Sequence, residues 1–392
     1  MSEKTYNAII RNGKIYGLGG GGDVTKAYVD EQIADVREEK EEKSEVLSYA
    51  EYQALATKDP NVSYYVPDAP LGFDDELSAT SENAVQNRIL TAQFNIIVAG
   101  QAKQNAIANR TYNGEALTDL FANEIQSDYD NAWQWITART AADNFDGINI
   151  ADFIPITIKT YSLNAQIAGI KTYTGYGDTA VRKHIDWISK ELYPENHVVN
   201  KVNFNNGTAG QNYPWLASDL YHWLNSLSGT VPNEAVVGGG AGESVDYTSD
   251  GVYYNLPAEL KSAIIEKRFL LSKRYSASGL LDDDNGRAWA NIGMLWLPDE
   301  CEVYGMPVWG GNSGYSLGGS ALQYSLFAGN VNRLKYKNGI RAMWWLLSPF
   351  LGNSTNWCFS ANNGSCGGNY YTTSHSESAV PICFRTGETY SV

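Results

Sequence analysis

The chain has 392 residues, a formal net charge of −15, a 43% hydrophobic fraction and 12% aromatic residues. That length holds two or three domains, and the acidic balance makes nucleic acid and anionic membranes poor partners, because phosphate binding needs a basic face. No apolar run approaches the roughly 18 residues that cross a bilayer, and no basic stretch followed by an apolar one opens the chain, so neither membrane insertion nor a secretory signal is expected.

Residues 1–22 end in Gly19-Gly20-Gly21-Gly22 and read as an attachment segment with a flexible joint. Residues 23–47 follow as a short helix or coiled coil. There Val29, Ile33 and Val36 step by four and then three, before the charge run Arg37 to Lys43. Residues 48–73 contain Asp59-Pro60-Asn61 and Pro67-Asp68-Ala69-Pro70 around Val62-Ser63-Tyr64-Tyr65-Val66. That pattern predicts a small β-rich module or linker with a hairpin.

Residues 77–108 carry the better heptad. Val85, Ile89, Ala92, Ile96 and Ala99 alternate in steps of four and three, a stripe that one helix cannot bury alone. This segment is read as the coiled-coil oligomerisation stalk.

Residues 110–392 read as a globular head. Residues 130–136 predict a helix and residues 152–158 an alternating strand. Residues 184–192 suggest a helix from Ile185, Ile188 and Leu192. Residues 214–227 suggest another, opened by Pro214, with Leu216, Leu220, Trp223, Leu224 and Leu227 on one face. Residues 257–269 suggest a third, after which short strands alternate with Gly/Asn loops. Helices first and a loop-rich β region last predict an α+β fold.

The most informative stretch is 352–376, where 19 of 25 residues are Gly, Asn, Ser, Thr or Tyr, and no Lys, Arg, Asp or Glu occurs from Ala342 to Ser376. A long loop inside a compact domain is functional or disordered. Disorder predicts few aromatic residues, yet this stretch holds Trp357, Phe359, Tyr370 and Tyr371. The same residue types dominate antibody loops. The stretch is therefore the candidate recognition surface, and the resemblance that its flanking segments carry singles out within it Asn353, Asn356, Phe359, Asn362, Asn363, Ser365, Asn369, Tyr370, Tyr371 and His375 as ligand contacts, with Trp357 kept beside them. A second loop, 309–338, flanks them through Tyr315, Tyr324, Asn330, Asn332 and Tyr336.

Other chemistry is sparse. His184, His197, His222 and His375 show no metal-ligand spacing. Asp282-Asp283-Asp284-Asn285-Gly286 is read as a solvated acidic turn, with a calcium site as the alternative, and lacks the EF-hand order. No nucleophile motif occurs, so neither a catalytic role nor a cofactor is expected. The cysteines are Cys301, Cys358, Cys366 and Cys383, too few for a disulfide scaffold, with a Cys358–Cys366 bridge as the one pairing left open.

Two groups of segments carry a resemblance. Leu77 to Leu90, with Ser48 to Tyr52 and Tyr64 to Val66, resembles modules of tail fibres from phages of gut Firmicutes, where the first precedes a trimeric coiled coil. Leu295-Trp296-Leu297-Pro298-Asp299-Glu300, Met343-Trp344-Trp345-Leu346-Leu347-Ser348-Pro349 and Val380-Pro381-Ile382-Cys383-Phe384-Arg385 resemble the C-type-lectin-like, or sulfatase-modifying-factor-like, fold of variable proteins diversified by retroelements. This chain departs from that pattern at Leu347 and at Val380-Pro381-Ile382. The resemblance implies a C-type-lectin-like head on a coiled-coil stalk, made in the host cytoplasm and carried on the virion tail. It implies a homotrimer, docked on tail or baseplate proteins by its N-terminus. The head would adhere to a bacterial surface protein or glycan. Adenine-directed variation would produce Asn, Tyr, Ser, Gly, Phe and His but never Trp or Glu, so the resemblance assigns Trp344, Trp345, Trp357 and Glu377 to the frame, although Trp357 also stands among the candidate contacts. A glycan-hydrolysing depolymerase, needing two carboxylates across a cleft, and a purely structural tail subunit are the alternatives.

Overall fold

The computed structural model describes residues 8–11, 14–17, 44–46, 54, 63–65, 85–109, 111–179, 181–205, 207, 211–233, 242–273, 287–310, 322–353, 355–368, 372–376 and 378–388. The chain divides into two compact units, Met1–Ile97 and Val98–Val392.

In the first unit, β1 (Ala8–Arg11) and β2 (Lys14–Gly17) form an antiparallel pair within the expected attachment segment, whose Gly19–Gly22 joint lies outside the described residues. β3 (Ser44–Val46) pairs with β4 (Ser63–Tyr65) in parallel. The expected hairpin around 62–66 is therefore corrected. A hairpin is antiparallel by construction, and a parallel partner must be reached through a longer crossover. α1 (Val85–Ala108) is a single 24-residue helix that begins in the first unit and ends in the second. The remaining expectations for 1–73 lie outside the described residues.

The second unit is an α+β fold. α2 (Leu117–Leu120), α3 (Ala122–Asp128) and α4 (Ala132–Ala141) come first. α4 starts where expected because Asn131 caps it, its Oδ1 accepting from the amides of Trp133 at 3.0 Å and Gln134 at 2.9 Å. β5 (Phe153–Ile158), β6 (Tyr161–Ile170) and β7 (His184–Ser189) follow. Then come α5 (Pro214–Ala217), α6 (Asp219–Asn225), β8 (Ser228–Pro232), β9 (Gly242–Asp246), α7 (Ala258–Ala263), β10 (Ile264–Ile265), β11 (Arg268–Ser272), β12 (Arg287–Asn291) and α8 (Glu300–Tyr304). The last elements are β13 (Lys335–Lys337), β14 (Ile340–Ala342), β15 (Trp344–Pro349), β16 (Trp357–Ser360), β17 (Cys366–Gly367) and β18 (Cys383–Gly387).

The central sheet runs β10-β18-β7-β6-β5 and is antiparallel throughout. This corrects the helix expected at 184–192. Ile185, Ile188 and Leu192 fit a helical period, but all six residues of β7 are buried. A central strand covered on both faces shows no alternation, so its run cannot be told from a buried helix by period alone. The third expected helix is likewise shorter than 257–269, because β10 and β11 take over its second half.

One face of the sheet meets α4, where Trp133 packs edge-on to Trp187 at 5.4 Å and Phe384 at 5.6 Å. The other face buries charge. Arg385 and Asp186 are direct cross-strand partners, and the guanidinium makes two bonds to the carboxylate, at 2.6 and 2.8 Å. Burial alone would raise the Asp186 pKa, but Arg385 outweighs it and holds the carboxyl at about 2. Burial, with the Arg385 charge, depresses His184 to about 3. Beside them Lys267 is bonded to Glu302 and, at 2.9 Å, to the Tyr324 hydroxyl, with the rings of Phe269, Trp296 and Tyr173 at 4.8–5.0 Å. These groups are all buried, which the desolvation of unpaired charge would forbid.

Candidate recognition surface

The C-terminal segment folds as a small sheet, β15-β16-β17, bracketed by turns. Pairing places Trp344 opposite Ser360, Trp345 opposite Phe359 and Pro349 opposite Trp357, with a bulge between Trp345 and Pro349. The indole N–H of Trp357 donates to the Leu346 carbonyl at 2.7 Å. Asn356, Trp357 and Phe359, expected as ligand contacts, are therefore corrected: all three are buried, Trp357 at 0% exposure and Phe359 at 4%. Trp357 and Phe359, two of the aromatic residues that argued against disorder, fill a core. Tyr324, from the second expected loop, is buried beside Lys267.

The polar members of the prediction sit in the turns. Asn362, Asn363 and Ser365 are exposed in the turn from β16 to β17. Ala361 N–H donates to the Ser365 carbonyl at 2.8 Å, and Gly364 supplies the left-handed residue, with φ of +82°. Asn363 Oδ1 accepts from the Ser365 amide at 3.0 Å and hydroxyl at 2.7 Å, an Asx turn. The Tyr304 hydroxyl, within 2.9 Å of Ser360 Oγ and 3.3 Å of the Gly364 carbonyl, braces it from below. In the preceding turn Asn353 Oδ1 accepts from the amides of Thr355 at 2.9 Å and Asn356 at 2.8 Å.

Two buried side chains that sequence reasoning did not single out hold these turns. The amide of Asn205 donates to the carbonyls of Asn353 at 3.0 Å, Phe350 at 3.4 Å and Asn356. The loop that carries it also reaches the following segment: Val199 N–H donates to Thr373 O, and Phe204 N–H to Thr373 Oγ1, each at 2.9 Å. The second is Glu300, at the start of α8. Its carboxylate accepts from the amides of Trp309 at 2.9 Å, Gly310 at 2.7 Å and Val308 at 3.3 Å, and from the Cys366 thiol at 3.1 Å. Burial, reinforced by neighbouring Asp299, raises its pKa despite those donors.

Glu300 thereby fixes an aromatic ledge. Trp309 is 36% exposed, its indole N–H donates to the Cys366 carbonyl at 3.2 Å, and its ring lies 5.9 Å from that of Phe350. Leu351 N–H returns to the Trp309 carbonyl at 2.9 Å. Gly368 lies beneath: a Cβ there would come within 2.6 Å of Trp309 Cβ and 2.8 Å of the Phe350 ring. Val308 and Met306, the latter 60% exposed, extend the apolar strip. The run Asp299-Glu300-Cys301-Glu302 carried the one available signal, an acidic capping box at a helix start: Asp299 accepts from the Cys301 amide and Glu302 from the Asp299 amide, each at 2.9 Å.

The other expected contacts are scattered. His375 is half-buried, edge-on to Trp345 and 3.2 Å from Ser378 Oγ. Tyr336 is exposed on the β13–β14 hairpin, where Arg341 Nε donates to its hydroxyl at 3.3 Å. Asn332 donates to the Leu326 carbonyl at 2.7 Å. Tyr315, Asn369, Tyr370, Tyr371 and the 282–286 acidic run lie outside the described residues. Cys358 and Cys366 are free thiols rather than a bridge. Among the described residues no cluster of His, Cys, Asp and Glu is arranged to hold a metal ion, and no helix is long and apolar enough to cross a membrane. Comparison with protein-family models, with curated proteins and with solved structures finds no match for this chain.

Proposed function

We propose that this chain is a tail-fibre-like receptor-binding protein of a phage, in which a C-type-lectin-like head on an oligomeric stalk adheres to a bacterial surface protein or glycan. The observation that carries the reading is the ledge of Trp309, Phe350, Val308 and Met306 beside the Asn362-Asn363-Gly364-Ser365 turn. A part-exposed indole whose backbone amide is held by the buried Glu300 carboxylate and whose own N–H is held by the Cys366 carbonyl offers contact area that is already immobilised, so little side-chain entropy is lost on binding. The adjoining Asn and Ser side chains adapt their hydrogen bonds. With no ionisable Asp, Glu, Lys or Arg between 342 and 376, the surface favours an uncharged partner face.

The stalk reading rests on α1. Phe94, Ile96, Ile97 and Val98 are exposed, Ile96 at 71%, on the helix whose heptad steps run from Val85 to Ala99. Exposed apolar runs of this kind mark interaction faces. Three strands is the number the fibre resemblance favours, and several heads on one stalk add avidity. The test is adsorption of fluorescently labelled protein to candidate host cells. Trp309→Ala and Asn362→Ala/Asn363→Ala should each reduce adsorption at least tenfold with the thermal midpoint unchanged. Full adsorption by both variants would sink the proposal.

A further inference from the structure

The ledge presents aromatic surface but no donor. Trp309 is part-exposed, and its indole N–H is already engaged by the Cys366 carbonyl at 3.2 Å. What the ring has left to offer is its π system, whose negative face attracts polarised C–H groups. The same bond fixes the ring, and Phe350 lies beside it over the buried Gly368. A ligand therefore meets an aromatic surface already in place.

The adjoining turn supplies groups of another kind. Cys366, whose carbonyl holds the indole, follows directly on Asn362-Asn363-Gly364-Ser365. Inside the turn, Asn363 Oδ1 is taken by the amide and hydroxyl of Ser365. The Asn363 NH2 group has no acceptor among the described residues. The amide of Asn362 is exposed and makes no hydrogen bond among the described residues, so its carbonyl and its NH2 are both open. A planar amide that presents acceptor and donor side by side answers two neighbouring hydroxyls at once, accepting from one and donating to the other.

Charge narrows the partner further. No Asp, Glu, Lys or Arg occurs between 342 and 376, so this segment has no fixed charge to offer an ionic group, and stripping water from one here would go uncompensated. A protein epitope is matched through charges of opposite sign around its contact. A neutral pyranose needs none. It carries C–H groups on one face of its ring and hydroxyls on neighbouring carbons around its edge, the two features that Trp309 and the turn complement.

We infer that the ledge and turn bind a neutral saccharide, with a pyranose ring stacked on Trp309 and neighbouring hydroxyls bonded by Asn362 and Asn363. The inference rests on the receptor-binding reading and names which of its two partner classes the site takes. It is tested with the full chain on host cells that adsorb it, after treating the cells with periodate, which cleaves vicinal diols, or with a broad-specificity protease. In the expected result periodate lowers adsorption at least about tenfold. Trp309→Phe, which keeps a π face, adsorbs within about threefold of wild type, whereas Trp309→Leu, apolar but without one, loses at least about tenfold, a loss that several heads on one stalk multiply. Adsorption that survives periodate overturns the saccharide inference, and if protease removes it the partner is a protein and the receptor-binding reading stands. Trp309→Leu adsorbing like wild type overturns the stacking. A wild-type chain that adsorbs to no candidate host overturns the inference and the reading together.

Discussion

The Cys366 thiol donates to Oε1 of Glu300 across 3.1 Å, at the point where β17 meets the ledge of Trp309. Burial, followed by the field of Glu300, pushes the thiol pKa far above its ordinary value. Since only the thiolate attacks, alkylation of Cys366 at pH 8 should be at least about tenfold slower than that of a free thiol. Glu300→Gln should speed it. An ordinary rate in the wild-type protein contradicts the arrangement.

Glu300 also serves three backbone amides. Glu300→Ala leaves those donors buried without an acceptor and should destabilise the head by about 2–4 kcal/mol. The Trp309 emission should shift to the red as the ledge loosens. Urea titration with fluorescence detection reads both. Stability within error of wild type would show that the ledge is held by something else.

Asn205 makes a parallel case. Asn205→Ala removes the donor to Phe350, Asn353 and Asn356 and should cost about 1–3 kcal/mol. Hydrogen exchange should rise in residues 350–356 while the β7–β18 pair stays protected.

Phe359→Ala and Trp309→Ala should separate frame from surface. The first empties a core position, costing about 3–5 kcal/mol, and reduces cell adsorption only through unfolding. The second leaves the thermal midpoint unchanged and reduces adsorption at least tenfold. Reversed effects would exchange the roles assigned to the two rings.

Acid should unfold the head in two stages. His184 is held neutral, its pKa lowered from 6.5 to about 3 by burial and the Arg385 charge. The unfolded chain takes up that proton first, so stability falls as pH drops from about 6.5 toward 3, by an amount on the order of a few kcal/mol. Asp186 has the depressed pKa of a paired carboxylate. Its contribution is present above the unfolded value of 3.8 and is lost as pH falls through about 2. Chemical denaturation of wild type and His184→Gln at pH 7 and pH 5 tests the first stage, whose slope with pH the variant should flatten.

The frame was the legible part of this sequence. The helix at 130–136 was legible from its pattern, and Trp344 and Trp345 were placed in the frame by the resemblance. β7 was misread because its residues satisfy a helical period and a doubly buried strand equally well. The recognition surface was half legible. Gly, Asn and Ser correctly marked turns at 353 and 361–365, but Trp357 and Phe359 share that stretch with opposite roles, because strand pairing with β15 turns them inward. Glu300 and Asn205 gave little warning, since their roles depend on partners between 8 and 151 positions away.

The strand order carries a consequence for synthesis. β18 is the last strand of the central sheet in sequence, yet it lies between β10 and β7, and its Arg385 answers a carboxylate 199 positions earlier. A ribosome that has released everything up to β15 has not yet supplied Arg385, the buried cation that Asp186 pairs with. The nascent head must wait, with one side of β7 open, until residues through Gly387 emerge. Chains cut short anywhere before that point should collect as protease-sensitive, chaperone-bound species rather than as smaller native heads.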